Sequence, residues 1–481
     1  MLAYEDLKGS SGRETWFRPT RFDARKLFPN RPPRVRVKSS SYQLHDISLT
    51  GIAVLAKQAV EDELCLGETV PVILQQAGLS IFEGRARVCR NECTAFGSKL
   101  AFTLVDSYVD FDRLLSRNAQ AQIAQHGSLL AGERNALVPR EYRAFCSDVL
   151  GFLRSYQAIL DENRHLAGRL SHAFDDVGAF EACESRVIEQ WRALWLTGND
   201  LVRQVMADRD AREATKEFTE LVLTPEMRGG AIWDRSYAKP LGYPGDYRIM
   251  NQVYDWERQG AGVYRQLLHR LGLEVAECIA TRMQLVKARI ADLVRERGQE
   301  GPARILSLGS GPAREIQLFL ESPQARSGKA EFTLVDQEAE ALAYAYDHLY
   351  PLVLSHGDQA RLKSLNLSFT DILRANGGLH QVPPQNLIYS LGLIDYLSDR
   401  RARLLVRRLY AALAPGGLLI IANMNETALS NLWPMEFIAD WSLAYRDEAE
   451  MKAWTEGLGA RQCWTELEKT GRVRLLFLRK P

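Results

Sequence analysis

The stretch Ala303–Glu315, ARILSLGSGPARE, constrains this chain more than any other. A short apolar run (Ile305, Leu306, Leu308) breaks into Gly309-Ser310-Gly311-Pro312, and a helical pattern follows at Ile316, Leu318, Phe319 and Leu320. That is strand, glycine turn, helix. A second apolar run, FTLVD, ends on Asp336 about 25 residues further on, the order expected of a nucleotide-binding βαβ unit. The glycines let the backbone approach a ligand closely. A carboxylate at the next strand end is placed to accept hydrogen bonds from ribose hydroxyls.

The alternation continues to the end of the sequence. After Asp336 come a helical stretch (EAEALAYAYDHL), a strand (LNLSF) with Asp371 just beyond it, and a strand in NLIYSLGLIDYL. The arginine-rich helix Asp399–Leu413 and a Pro415-Gly416-Gly417 turn lead into LLIIANM, and CWTELEKTG and RVRLLFLRK read as two strands joined by a turn containing Gly471. Alternating β and α elements over residues 300–481 indicate an open parallel sheet with helices on both faces, with the hairpin adding an antiparallel strand at one end.

A chain of 481 residues is too long for one core, so two or three domains are expected. A formal net charge of +1 argues against nucleic acid as a partner of the whole chain. No apolar run approaches the ~18 residues of a membrane span, and the opening MLAYEDLKGSSGRE lacks the apolar core of a signal peptide. The seven cysteines form no CxxC pair and have no histidines at ligand spacing. The expectation is a reduced, cytoplasmic, metal-free protein.

Between Arg18 and Lys38 there are eight basic residues and one acid, Asp23. Short β-like runs follow (RVRVKSSSYQLHDIS, GIAVLA, TVPVILQQ, LSIFEGRARVCR, SKLAFTLVD), separated by turn signals, and predict a small β-barrel over residues 18–110. Asp46-Ile47-Ser48-Leu49-Thr50-Gly51, preceded by the arginine-rich arm, resembles the PilZ family. The resemblance implies a six-stranded barrel that receives cyclic di-GMP through an RxxxR arm and a [D/N]xSxxG strand, guanidiniums meeting phosphates and guanine edges. Here Asp46, Ser48 and Gly51 supply the strand. The arm is either Arg21 with Arg25, which fits RxxxR, or the later pair Arg31 and Arg34, where Asn30 stands at the first arginine's place. The other reading is a barrel kept for packing or for docking a protein partner, with its arginines solvated.

From residue 111 to 299 helical periodicity takes over, as in PREYRAFCSDVLGFLRSYQAILDENRHL and RVIEQWRALWLTGNDLVRQVM. Trp191 and Trp195 share one helical face and are expected in the core. The passage 233–247 is different: it holds four aromatics, two prolines and two glycines in fifteen residues, with Lys239, Tyr243 and Asp246 among them. Ahead of a nucleotide-binding core, such a loop is expected to be a lid or a substrate wall; the plainer reading is an ordered connector.

The glycine turn, Asp336, Asp371, the strand-end Ser390-Leu391-Gly392 and the Ala414–Gly417 turn together resemble class I S-adenosylmethionine-dependent methyltransferases. A NAD-binding enzyme is the natural competitor, but Pro312 follows the second glycine and Arg314 stands where a third glycine would be. The resemblance implies a Rossmann-like sheet. It implies that Gly309, Ser310 and Gly311 border the methionine and ribose, that Asp336 binds the ribose, that Asp371 faces the adenine, and that Ser390, Gly392 and the segment to Asp395 line the methyl-transfer site. The sequence departs from the family at Ser307, where an acid usually anchors the methionine ammonium. KPLGYPGDY, YSLGLIDYL and WPMEFIADWSLAYRDEAEM further resemble bacterial methyltransferases labelled as making 3-hydroxy-fatty-acid methyl esters, which implies a small or fatty-acyl carboxylate acceptor.

Methyl transfer is an in-line displacement, so alignment carries much of the catalysis. A carboxylate acceptor is already nucleophilic and needs no general base. For a hydroxyl or amine acceptor, Asp246, Asp395 or Tyr243 would take the proton or orient the nucleophile. His348, His356 and His380 have no partners at diagnostic spacing. Two other functions stay open: a signalling receptor that binds S-adenosylmethionine or cyclic di-GMP without turnover, and a methyltransferase acting on a protein recruited by the barrel.

Overall fold

The computed structural model describes residues 19–481, apart from 29–31, 39, 57–63, 77, 95–96, 130–132, 171, 242, 299–300 and 375–377. The chain divides into two compact units, one of residues up to Glu92 with Ser98–Gln125, the other of Cys93–Gly97 with His126–Pro481.

The first unit is built on strands β1 (Arg21–Asp23), β2 (Arg34–Val37), β3 (Ser40–Ser48), β4 (Gly51–Ala56), β5 (Thr69–Gln76), β6 (Leu79–Thr94) and β7 (Gly97–Leu104). The order is β1-β3-β2-β5-β6-β7-β4, and β3 also pairs with β4, so six antiparallel strands close on themselves while β1 lies outside on β3. Alternate residues point inward, as the pleat requires: Val35, Val37, Val70, Val72 and Leu74 are buried between exposed or half-buried neighbours. The helix Phe111–Leu129, whose periodicity groups it with the helical middle, sets Leu114 and Ala121 into this barrel's core.

The second unit pairs a helical layer with a sheet of β8 (Ala303–Leu308), β9 (Ala330–Asp336), β10 (Ala360–Asn366), β11 (Gln385–Ser390), β12 (Leu413–Met424), β13 (Gln462–Leu467) and β14 (Val473–Arg479). The order is β10-β9-β8-β11-β12-β14-β13. The first five are parallel, and β14 runs antiparallel between β12 and the edge strand β13. Strand β10 starts earlier than the apolar run LNLSF implies: Phe369 already belongs to the short helix Phe369–Leu373. Near-continuous burial along β8 and β9 reflects cover on both faces. Helices Val263–Arg297, Arg314–Leu320 and Ala339–Ser355 cover one face; Asp399–Ala411 and Glu448–Ala453 cover the other.

The helical layer has its own core, in which Trp191 and Trp195 are buried, Trp191 packing on Trp433 at 5.4 Å between ring centroids. The long helix Val263–Arg297 belongs to both cores: Leu267–Val275 pack in the helical layer, and Cys278, Val286, Ile290 and Val294 pack on the sheet.

Candidate functional site

Chain order reverses between β8 and β11: β9 and β10 lie to one side, β12 to the other. In an open α/β sheet, the carboxyl ends of strands at such a switch point leave a crevice between diverging connections. A cavity opens there, of about 1460 Å³ including its mouth, lined by the segments after β8, β9 and β11 and roofed by the helical layer.

The floor is the glycine turn. Gly309, Gly311 and Ala313 take φ of +65, +51 and +51°. Glycine adopts this region freely, whereas Ala313 holds it under strain of the kind found at ligand sites. Asp336, at the end of β9, is nearly buried. Its carboxylate accepts from the Gly311 N–H and from the Glu338 N–H, both at 2.9 Å. These bonds tie the turn to the next strand, while burial still raises the carboxyl's pKa above the usual range. Ser310 lines the cavity with its hydroxyl unpartnered among the described residues.

The wall after β11 is Leu391–Tyr396, where Gly392 and Asp395 line the cavity. Asp395 accepts from the Met424 N–H at 2.6 Å, and burial pushes its pKa up to about 6, with Arg282 and the Met424 N–H pulling the other way. Ser390 is buried at the strand end and does not line the space. Asp371 does not line it either. Its oxygens accept from Ser368 Oγ at 2.6 Å and from Arg374 at 3.1 Å, so it braces the first turn of its helix, while Phe369 and Ile372 of the same helix face the cavity.

The 233–247 passage spans the end of helix Ala231–Ala238 and the start of helix Tyr247–Asp255. Trp233, Ser236, Tyr243, Gly245 and Tyr247 line the cavity. The passage is pinned at two places. Lys239 donates to Asp440, whose carboxylate also pairs with Lys216. Asp246 takes both prongs of Arg235, at 2.9 and 2.6 Å, and caps the following helix through the Arg248 and Ile249 N–H groups at 3.0 Å each. These two contacts tie the segment to its neighbours on either side of the cavity-lining Tyr243 and Gly245. Asp246 is fully buried and off the cavity, with Oδ1 taken by Arg235 and the two helix N–H groups and Oδ2 by Arg235. Tyr243 does line the cavity. Burial, and then the charges of Asp336, Glu338 and Asp246, push its hydroxyl pKa far up, which suits a hydrogen-bond donor and not a base.

Residues that pattern reading missed complete the site. Arg282, from the middle of the long helix, and Glu315, from the helix after the glycine turn, are both buried and both line the cavity. Glu315 accepts from Tyr389 Oη at 2.7 Å, and burial raises its pKa. Sequence did hold a signal for Arg282: it sits four residues from Cys278 and four from Val286, inside a buried stripe where a charge is out of place. The π-helix Leu432–Ile438 adds Met435, and Trp441 follows it, its Nε1 donating to Tyr396 Oη at 2.9 Å. His348 and His356 bond backbone carbonyls with one ring nitrogen each, and the side chain of His380 is outside the described residues.

In the barrel, Arg21 lies in register with Ser48 and pairs with Asp46 at 2.5 Å, and Ser48 Oγ donates to the Gly51 carbonyl at 3.3 Å. Arg21, Asp46, Ser48 and Gly51 are thus one cluster. Arg25 follows on the short helix Ala24–Leu27, Arg34 opens β2 and pairs with Gln43 of β3, and Arg31 is outside the described residues.

No family model matches the chain, and no curated protein matches it. Solved structures that resemble it include a candidate exported protein from Bordetella parapertussis (19% identity, TM-score 0.43, 63% of this chain and 97% of that one). Others are magnesium protoporphyrin IX methyltransferase from Synechocystis with bound S-adenosylmethionine (14%, TM-score 0.30, 43% and 84%) and the N-methyltransferase NodS from Bradyrhizobium japonicum with S-adenosyl-L-homocysteine (15%, TM-score 0.29, 41% and 87%). These are distant likenesses, and none of the three carries the reading below, which rests on the geometry of the cavity. Among the described residues no helix is long and apolar enough to cross a membrane.

Proposed function

We propose that the second unit is an S-adenosylmethionine-dependent methyltransferase. The observation that carries this is the Gly311–Asp336 tie at the switch point: a glycine turn held at positive φ with open space beside Gly311, and a buried carboxylate fixed at its rim where a ribose diol would fit. Electrostatics agree. Among the described residues lining the cavity the charged ones are Glu315, Asp336, Asp395 and Arg282, three acids to one base, a surplus that favours a ligand carrying net positive charge. Gly309, Ser310, Gly311 and Asp336 would hold the ribose end, with Phe369 and Ile372 against the adenine in place of the Asp371 contact. When bound, the cofactor supplies the electrophilic methyl group.

The chain's own residues supply alignment and dryness. The cavity's lining includes the apolar Trp233, Ile249, Met250, Val275, Met435 and Trp441. An apolar lining of this kind fits a small or fatty-acyl carboxylate acceptor, whose charge is annulled as the sulfonium is consumed and which reacts best with water excluded. The clamp of Arg235 on Asp246 keeps that wall shut. A hydroxyl acceptor is the second reading, and the observation favouring it is Asp395: a cavity carboxyl with pKa about 6 is ready to take a proton near neutrality. The barrel, PilZ-like in its Arg21–Asp46–Ser48–Gly51 cluster, would bind cyclic di-GMP and regulate the enzyme, or recruit a protein.

Incubating the full chain with methyl-labelled S-adenosylmethionine and cell extract tests the set. Label in the organic-extractable fraction supports the acyl carboxylate, and label in protein supports a recruited partner. Binding with no transfer to any fraction makes the chain a receptor.

A further inference from the structure

Arg282 and Glu315 are two opposite charges lining one cavity, each about 4% exposed. Arg282 acts electrostatically on Glu315 and on Asp395, which lines the same cavity, yet among the described residues neither Arg282 nor Glu315 makes a salt bridge within 4.0 Å. A buried charge without a partner is costly, and an isolated pair of opposite signs normally closes the gap. Here each is held back by its own scaffold. Glu315 is tethered through Tyr389 Oη, which is in turn hydrogen-bonded to Ser307. Arg282 is packed against the end of β11, so closely that a Cβ on Gly392 would stand 3.1 Å from its Nη2, and its buried Nε has no partner. One cavity thus keeps an anion site and a cation site apart.

We infer that Glu315 and Arg282 form a clamp for a zwitterionic amino-acid end: the Glu315 carboxylate for the ammonium and the Arg282 guanidinium for the carboxylate of the bound cofactor. This rests on the methyltransferase reading and answers the discord at Ser307. The strand end lacks an acid, and the negative charge is supplied from the helix after the turn instead. Ser307 and Tyr389 become the positioning partners of that displaced acid. A zwitterion fits both charges without changing the sum of the site, and it leaves Asp395 facing the transfer point.

The test compares two ligands that share adenine, ribose and sulfur and differ in the amino-acid end, S-adenosylhomocysteine and 5′-methylthioadenosine, titrated calorimetrically into the full chain. The wild type is expected to prefer S-adenosylhomocysteine. Glu315→Gln and Arg282→Gln should each weaken S-adenosylhomocysteine by about tenfold or more and leave 5′-methylthioadenosine unchanged, which also shows that the variants fold. Unchanged S-adenosylhomocysteine affinity in both variants overturns the clamp, as does an equal loss for both ligands. A wild type that binds both ligands equally overturns the clamp alone. A wild type that binds neither overturns the cofactor reading and the clamp with it.

Discussion

Removing the Asp246 carboxylate should cost stability before it costs chemistry. Its side chain is 0% exposed and that of Arg235 is 19% exposed, and the two meet through a pair of hydrogen bonds. Breaking a buried ion pair by deleting one partner costs about 3–5 kcal/mol; because Arg235 keeps some access to water, the lower figure, about 3 kcal/mol, applies. Asp246→Ala also strips the cap from the Arg248 and Ile249 N–H groups, about 1 kcal/mol more. Asp246→Asn keeps a capping oxygen and should lose only the first part. The expected order is wild type, then Asn about 3 kcal/mol below, then Ala about 4 kcal/mol below, a large share of the 5–15 kcal/mol a domain usually has. Of the nine tryptophans all but Trp16 lie in the second unit, so fluorescence during urea unfolding reports on that unit. An Asn variant with wild-type stability and lost turnover would refute the reasoning and return Asp246 to the chemistry.

Asp336→Ala should weaken S-adenosylmethionine binding about tenfold or more, about 1.4 kcal/mol, because charge-assisted hydrogen bonds are lost; an unchanged calorimetric affinity would remove the ribose assignment. Asp395 gives a pH signature. Its folded pKa of about 6 lies above the ordinary 3.8, so its ionisation weighs against the folded state. Relative to Asp395→Asn, the wild type should lose about 2 kcal/mol between pH 4.5 and 7.5, as pH rises through the window between 3.8 and about 6, read by urea midpoints at those two pH values; a difference that does not vary with pH would place the carboxyl in water. In the barrel, Arg21→Ala combined with Arg25→Ala should abolish cyclic di-GMP binding, and titration of the intact chain without heat would end the nucleotide reading.

The turn was legible because glycine and proline have few reasons to cluster at a strand end, and the structure puts positive φ at Gly309 and Gly311. The surroundings of Asp246 were not legible, for a physical reason. In sequence a carboxylate among tyrosines looks the same whether it faces a substrate or an arginine eleven residues back, and only the fold of two short helices brings Arg235 to it. Asp371 shows the same ambiguity: its oxygens accept from Ser368 and Arg374 at the start of its own helix, contacts that no spacing announces. Arg282 and Glu315 come from different elements, and their apposition across a cavity leaves no spacing to read. The position of β14 inside the sheet was equally hidden, since a hairpin has the same sequence pattern whichever of its strands sits at the edge.

The long helix Val263–Arg297 has one further consequence. At 35 residues it is about 52 Å of continuous rod, its first half seated in the helical layer and its second on the sheet. Melting the first half would expose the helical layer's core and melting the second the sheet's, and the unbroken rod couples the two. The residues before the sheet and the sheet itself should therefore unfold in a single cooperative step, and a fragment cut at residue 300 should lack a stable fold despite holding the whole glycine turn. Amide exchange along the rod, uniform from Leu267 to Val294, would be the mark of that shared foldon.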